Sequence, residues 1–143
     1  MHAIHSFIHR FHNPDLGLLL LRLALGIVFL YHGWGKIGEM ESTIAFFTTL
    51  GFAPFFAYLV AWVETIGGIA LIIGLFTRYV ATLLAIVALV ALVKVHLPNG
   101  FGVSGGGYEF ILVLLLGSLA LFFSGAGSYS LAHFTNLELR NAN

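Results

Sequence analysis

Four runs of apolar residues, each at or near the length needed to cross a lipid bilayer, constrain the fold of this chain most. A transmembrane helix needs about 20 apolar residues to cross a hydrocarbon core roughly 30 Å thick. The runs cover about residues 16–36, 55–76, 79–95 and 108–124, and the last two are short. We therefore predict an all-α membrane protein, a bundle of four antiparallel transmembrane helices within residues 14–131, followed by a tail over 132–143.

The composition agrees with a membrane protein and narrows its chemistry. Only 8% of the 143 residues are charged, whereas soluble domains carry about 25%. Too few charges remain to cover a surface that faces water. The net charge is zero and the basic residues are scattered, so nucleic acid is not expected as a partner. Because cysteine is absent, disulfides, thiolate nucleophiles and iron–sulfur clusters are excluded.

The connections between the apolar runs differ in kind. Only Thr77 and Arg78 separate the second run from the third, which predicts an antiparallel hairpin. The first connection, over 37–54, contains spaced apolar residues that predict a short helix lying in the membrane interface. The third, HLPNGFGVSGGG over 96–107, is rich in glycine, which permits unusual backbone shapes. It is either a flexible connector or a lid over a site.

Residues 1–13 predict an interfacial amphipathic helix that ends at Pro14. One face of this helix is apolar and the other carries His2, His5, His9 and His12. The simpler interpretation is a polar face that happens to be rich in imidazole, although the spacing would also suit a metal ion. Arg10, Arg78 and Arg140 fall on the side of the termini, which by the positive-inside rule predicts that both termini are cytoplasmic.

Ionisable residues within transmembrane helices are costly, so each is a candidate functional residue with a partner to be named. The candidates for a buried polar cluster or ligand site are Arg22, His32, Lys36, Glu64, His96 and Glu109. The path of the chain brings the ends of the helices that carry His32, Lys36, His96 and Glu109 into the same leaflet.

Helical periodicity places the polar groups on faces suited to contact between helices. The first helix carries a stripe of Arg22, Gly26, Phe29, Gly33 and Lys36, with His32 at its edge. The second carries Ala57, Ala61, Glu64 and Gly68, and the third carries Ala81, Ala85 and Ala88. Small residues allow membrane helices to approach closely. We therefore expect these stripes to face the interior of the bundle.

Depth in the bilayer predicts which charges pair. Glu64 lies about 14 Å into its helix at about 1.5 Å per residue, near the midplane, within reach of the long side chain of Arg22. We predict an Arg22–Glu64 ion pair, which either serves a site or only fixes the register of two helices. His32, Glu64, His96 and Glu109 could supply one metal ligand per helix, but the Glu-x-x-His pairs of di-iron bundles are missing, so no metal is expected.

From about Leu16 to Leu131 the chain resembles the DoxX family of four-helix membrane proteins. The resemblance rests on motifs in a shared order: R-x3-G-x6-G-x2-K from Arg22, L-G-x-x-P from Leu50, E-x2-G-G-x5-G-x2-T-R from Glu64, His96 with the glycine-rich loop and Glu109, and G-x-G-x-Y-S from Gly125. It implies the four-helix fold and a bacterial inner-membrane location. It also implies a link to quinone chemistry or oxidative stress, because relatives are associated with a thiosulfate:quinone oxidoreductase and a terminal oxidase.

Two functions follow as the main alternatives. The first is a membrane subunit of a quinone-linked oxidoreductase, in which Arg22 or Lys36 faces the quinone oxygens and Glu64 or His96 exchanges protons. It would act with a soluble or membrane oxidoreductase partner, since we do not expect the chain to be catalytic alone. The second is a scaffold or assembly factor whose polar network is purely structural. A solute carrier is a third alternative, and it would require a homo-oligomer.

Overall fold

The structure, a computed structural model, describes residues 12–135, and every regular element in that range is helical. The helices are α1 (Pro14–Gly38), α2 (Met40–Thr49), α3 (Pro54–Ile73), α4 (Thr77–Ala91), α5 (Glu109–Ser124) and α6 (Leu131–Thr135). A π-helical turn, Leu92–His96, and a 3-10 turn, Leu97–Asn99, continue α4, and a second 3-10 turn, Val103–Gly105, lies in the following loop.

Three helices in the described range are long and apolar enough to cross a membrane: α1, α3 and the extended α4 over Thr77–Asn99. The fourth, α5, is apolar but has only 16 residues. The prediction of an all-α membrane bundle is confirmed, and α2 is the short helix expected in the first connection. The predicted amphipathic helix and most of its histidine stripe fall in residues 1–11, outside the described residues.

Local signals in the sequence explain where the helices begin and end. The Asn13 side chain accepts a hydrogen bond from the backbone N–H of Leu16, and Pro14 occupies the first turn of α1, as is typical of helix starts. Helix α3 was expected to reach residue 76 but ends at Ile73. The reason is Gly74, which adopts a left-handed conformation with φ of 72° and ends the helix.

Helices α1 and α3 pack against each other almost backbone to backbone. A methyl group on Gly26 would lie 2.7 Å from the carbonyl oxygen of Gly68, and one on Gly33 would lie 2.5 Å from the backbone nitrogen of Thr65. Neither position has room for a larger residue. The small-residue stripes predicted from periodicity are thus the faces in contact, as expected for membrane helices that lack a hydrophobic driving force.

The four long helices form a ring in chain order. Helix α1 packs most extensively on α3, α4 packs mainly on α5, the α3–α4 hairpin is intermediate, and α1 packs least extensively on α5. The core between them contains Leu25, Phe29, Leu71, Leu84, Leu114 and Leu121. Large apolar side chains such as Trp62, Ile66 and Leu83 point outward and are exposed, which suits a surface that faces lipid rather than water.

Candidate functional site

The candidate site is an ion pair between α1 and α3. The Nζ atom of Lys36 lies 2.5 Å from Oε2 of Glu64, and this is the only ion pair between side chains of residues 12–135. The Glu64 side chain is 8% exposed and that of Lys36 is 26% exposed. The Glu64 side chain is therefore buried within the bundle, while the Lys36 side chain is partly exposed.

The predicted Arg22–Glu64 ion pair is wrong, and the register of α1 on α3 explains why. Gly33 lies against Ala61 and Thr65, so Glu64 sits near the end of α1 that carries Lys36. Arg22 lies about 16 Å from Gly33 along α1, at about 1.5 Å per residue. Because the helices run antiparallel, Arg22 therefore lies beside the C-terminal end of α3, away from Glu64. The flexible side chain of Lys36 instead reaches back along α1 to the carboxylate.

Short helix α2 closes the end of α1 next to the pair. The hydroxyl of Thr43, which is buried, donates to the carbonyl oxygens of Glu39 at 2.9 Å and Lys36 at 3.3 Å. These carbonyls belong to the last turn of α1 and its cap, where partners within the helix run out. The Thr43 side chain therefore fixes the backbone of Lys36 at the point where its side chain leaves the helix.

Arg22 occupies a different environment at the opposite end of the α1–α3 interface. It is fully buried, and its guanidinium donates to the carbonyl oxygen of Leu71 at 3.4 Å and to that of Tyr129. Leu71 lies in the last turn of α3, where the helix dipole favours a positive charge. A side chain on Gly74 would collide with the guanidinium, so Gly74 both ends α3 and leaves room for Arg22.

The segment between α5 and α6, residues 125–130, wraps around this end of the bundle. The Asp15 carboxylate accepts hydrogen bonds from the backbone N–H of Ser128 at 3.0 Å and from its hydroxyl at 2.7 Å. Sequence reasoning placed Asp15 only at the end of the N-terminal amphipathic segment and did not connect it with Ser128. The G-x-G-x-Y-S motif that contains Ser128 was the available signal, and its role here is to tie the end of α5 to the start of α1.

His96 and Glu109 take part in the glycine-rich loop rather than in a shared cluster. Nδ1 of His96 is 2.9 Å from the carbonyl oxygen of Gly106, and Oε1 of Glu109 accepts from the backbone N–H of Val103 at 2.6 Å. The loop also bonds to itself, for example from the N–H of Tyr108 to the oxygen of Gly100 at 3.0 Å. It is a structured connector, and its hydrogen bonds do not reach the Lys36–Glu64 pair.

His32 is exposed, and its imidazole contacts the ring of Phe110 in α5 with 6.4 Å between the ring centres. The six predicted site residues thus divide between several places: Lys36 and Glu64 form a pair, Arg22 is at the far end of the interface, His32 faces α5, and the other two stabilise the loop. Between residues 12 and 135 no three His, Asp or Glu side chains lie close enough to hold a metal ion, so the one-ligand-per-helix arrangement is not formed.

The fold and this interface define a class of small helical membrane protein, in which a charged pair lies inside a bundle whose first two long helices meet at glycines. Comparison with known proteins identifies the family. The DoxX family profile matches residues 17–97, more than half of the chain, and the protein belongs to the DoxX family.

Two relatives align with nearly the whole chain. One, from Bacillus subtilis (strain 168), is named "Putative oxidoreductase CatD" and is 39% identical over 129 residues, which cover 90% of this chain and 94% of that protein. The other, from Escherichia coli (strain K12), is named "Inner membrane protein YqjF" and is 31% identical over 122 residues, 85% of this chain and 94% of that protein. No solved structure matches the chain.

Proposed function

We propose that this protein is a membrane subunit of a quinone-linked oxidoreductase or redox-stress system, and that Lys36 and Glu64 bind the head group of a quinone-like lipophilic ligand. The observation that carries the proposal is the Lys36–Glu64 ion pair, in which the Glu64 side chain is buried and the Lys36 side chain is partly exposed. Charges among transmembrane helices are costly, and by default they mark the paths of ligands, ions or protons.

The chemistry of the pair suits a quinone head group. A lysine ammonium has three N–H donors, and among residues 12–135 only Glu64 accepts from it, which leaves donors for a quinone oxygen. Reduction of a quinone to a quinol consumes two electrons and two protons. In this proposal the electrons come from an oxidoreductase partner, and the Glu64 carboxylate takes up each proton from water before passing it to a quinone oxygen. The name of the relative CatD supports a redox role for this chain.

The location of the protein is part of the same proposal. The name of the relative YqjF supports the bacterial inner membrane, where quinones also reside. Arg78, exposed at the start of α4, lies at the end of the bundle where α1 begins and α5 ends. In the sequence, Arg10 and Arg140 fall on the same side as Arg78, against Lys36 and Lys94 on the other. By the positive-inside rule, this bias favours a cytoplasmic position for both termini.

Titration of the detergent-purified protein with a short-chain benzoquinone tests the proposal. We expect saturable binding in the wild type and a loss of affinity of at least tenfold in Glu64→Gln, which removes the charge but keeps the shape. Glu41→Gln is the matched control, because Glu41 is an exposed acid on α2 outside the pair. Thermal unfolding of all three proteins separates loss of binding from loss of folding. Absence of saturable binding in the wild type would refute the ligand site.

A non-catalytic scaffold is the second candidate, and the surroundings of Arg22 favour it. There a buried charge binds main-chain carbonyls in two different segments, an arrangement that holds the bundle together. If Lys36 and Glu64 also only stabilise the bundle, Glu64→Gln lowers the unfolding temperature and the wild type binds no quinone. That combination would assign the whole polar network to stability.

A further inference from the structure

The helix–helix interfaces near the Lys36–Glu64 pair differ in how tightly they pack. Between α1 and α3 the backbones touch at Gly26 and Gly33, which leaves no route for a ligand. Helices α1 and α5 pack least extensively among the neighbouring long helices. A ligand that comes from the bilayer would therefore disrupt the least packing if it passed between α1 and α5.

The contacts across the α1–α5 interface differ between its two ends. Near the Arg22 end, the Leu25 side chain lies over Gly117, and a methyl group at that glycine would be 3.1 Å from it. Near the Lys36 end, the contact is between the His32 and Phe110 rings, which meet at a tilt of 52°. His32 makes no hydrogen bond to any residue in the described range, so its ring nitrogens are available to a ligand.

The spacing of His32 and Lys36 suits a head group with two polar ends. Residues four apart in a helix lie on the same face, about 6 Å apart along the axis. The two carbonyl oxygens of a quinone lie at opposite ends of its ring. One oxygen can thus receive a hydrogen bond from Lys36 while the other meets His32.

Phe110 also lines a groove on the outer face of α5. The groove has a volume of about 400 Å³ and is lined by Phe101, Val103, Glu109, Phe110, Leu112 and Val113. All of these except Glu109 are apolar, and one of them, Phe110, is the residue that contacts His32. A hydrocarbon chain attached to a head group between α1 and α5 would come to lie in this groove.

We propose that the lipophilic ligand reaches the Lys36–Glu64 pair from the bilayer between α1 and α5, with Phe110 as the gate and His32 as the second polar contact of the head group. The inference rests on the proposed function for the identity of the ligand. The route itself follows from the helix packing, so the two can be tested separately.

The absence of cysteine makes the route measurable without any quinone. The variant Lys36→Cys/Glu64→Gln, in lipid vesicles, places a single thiol at the pair and leaves no unpaired charge. An apolar maleimide that partitions into the bilayer should label this thiol. Adding Phe110→Ala should accelerate labelling several-fold, and adding Phe110→Trp should slow it several-fold. The matched controls are Phe123→Ala and Phe123→Trp, on the same helix but 75% exposed and near its other end.

Two labelling results would overturn the route. One is a rate that is the same in the Phe110 and Phe123 variants, and the other is faster labelling by a charged, water-soluble maleimide, which would indicate access from water. If the double variant does not fold, Glu64→Cys/Lys36→Gln reports on the same route. Labelling that depends on Phe110 in a protein that binds no quinone would preserve the route and refute the proposed function.

The role of His32 has its own measurement. His32→Phe keeps a ring against Phe110 but removes both nitrogens. We expect a several-fold loss of affinity for the short-chain benzoquinone, with the labelling rate at position 36 unchanged. An unchanged affinity, or the absence of binding in the wild type, would refute the contact between His32 and the head group.

Discussion

The two ends of the α1–α3 interface hold their charges in opposite ways. At one end Arg22 is fully buried and binds carbonyl oxygens of the main chain. At the other end Lys36 is partly exposed and binds the side chain of Glu64. A main-chain carbonyl has a fixed place and cannot lose its polarity, whereas a carboxylate can accept a proton or exchange its partner. The Arg22 end is therefore suited to holding the bundle together, and the Lys36 end is suited to responding to a ligand.

Substitution of Arg22 should have the largest effect on stability. Arg22→Met keeps an unbranched apolar stem but removes this donor from the carbonyl oxygens of Leu71 and Tyr129. We expect the free energy of unfolding to fall by about 3 kcal/mol, since hydrogen bonds to charged groups contribute roughly 1.5–3 kcal/mol each. Denaturant titration in detergent measures this change.

The control for this prediction is Arg78→Met, which removes an arginine that is exposed at the same end of the bundle. It should change the free energy of unfolding by less than about 0.5 kcal/mol, as surface substitutions usually do. Equal losses in the two variants would mean that Arg22 acts only through the overall charge of the protein, and the contrast between the two ends would disappear.

Widening the interface between the two ends should have an intermediate effect. Gly33→Ala places a methyl group 2.5 Å from the backbone nitrogen of Thr65, and backbone atoms can make room only if the helices separate. We expect a loss of about 2 kcal/mol, within the usual range for overpacking. Because Gly33 is one turn from Lys36, the separation should also lower benzoquinone affinity, whereas Arg22→Met should leave the affinity of the folded fraction unchanged.

Gly35→Ala is the matched control, because it lies in the same helix and a methyl group there meets no other atom within 4 Å. Alanine is the better helix former by roughly 1 kcal/mol, so this variant should be as stable as the wild type or more so. A Gly33→Ala protein as stable as the Gly35→Ala protein would show that the helices adapt to the methyl group without cost.

The sequence predicts much of the fold because the relevant signals are local. The apolar runs reflect the thickness of a bilayer, and the stripes around Gly26, Gly33 and Gly68 reflect the 100° turn per residue. The partner of Glu64 could not be obtained in this way. It depends on how far α1 is shifted along α3, and the contacts of the glycines set that shift. A depth estimate from the ends of two separate helices does not contain this information.

The same reason explains the sites that sequence analysis missed or misplaced. His96 and Glu109 do occur near the ends of their helices, but hydrogen bonds within the glycine-rich loop hold both of them. The Asp15–Ser128 contact joins residues 113 positions apart, and no local pattern indicates that the chain returns to its start. Contacts of this kind become visible only when the helices are placed together.

The smallest effect is expected from removing Lys36 and Glu64 together, and it separates the two ends most sharply. Lys36→Met alone leaves a buried carboxylate without its partner, and Glu64→Leu alone leaves an ammonium group without its acceptor. The double variant Lys36→Met/Glu64→Leu removes both charges, so it should be more stable than Lys36→Met and close to the wild type, as found for buried ion pairs replaced by hydrophobic residues. A double-mutant cycle of unfolding free energies should give a coupling of about 1 kcal/mol. For Arg22 the comparison differs, because a second substitution cannot remove the carbonyl oxygens of Leu71 and Tyr129 that its guanidinium binds. A double variant that loses as much stability as Arg22→Met would mean that both ends are structural, and the Lys36 end would no longer be distinguished as a ligand site.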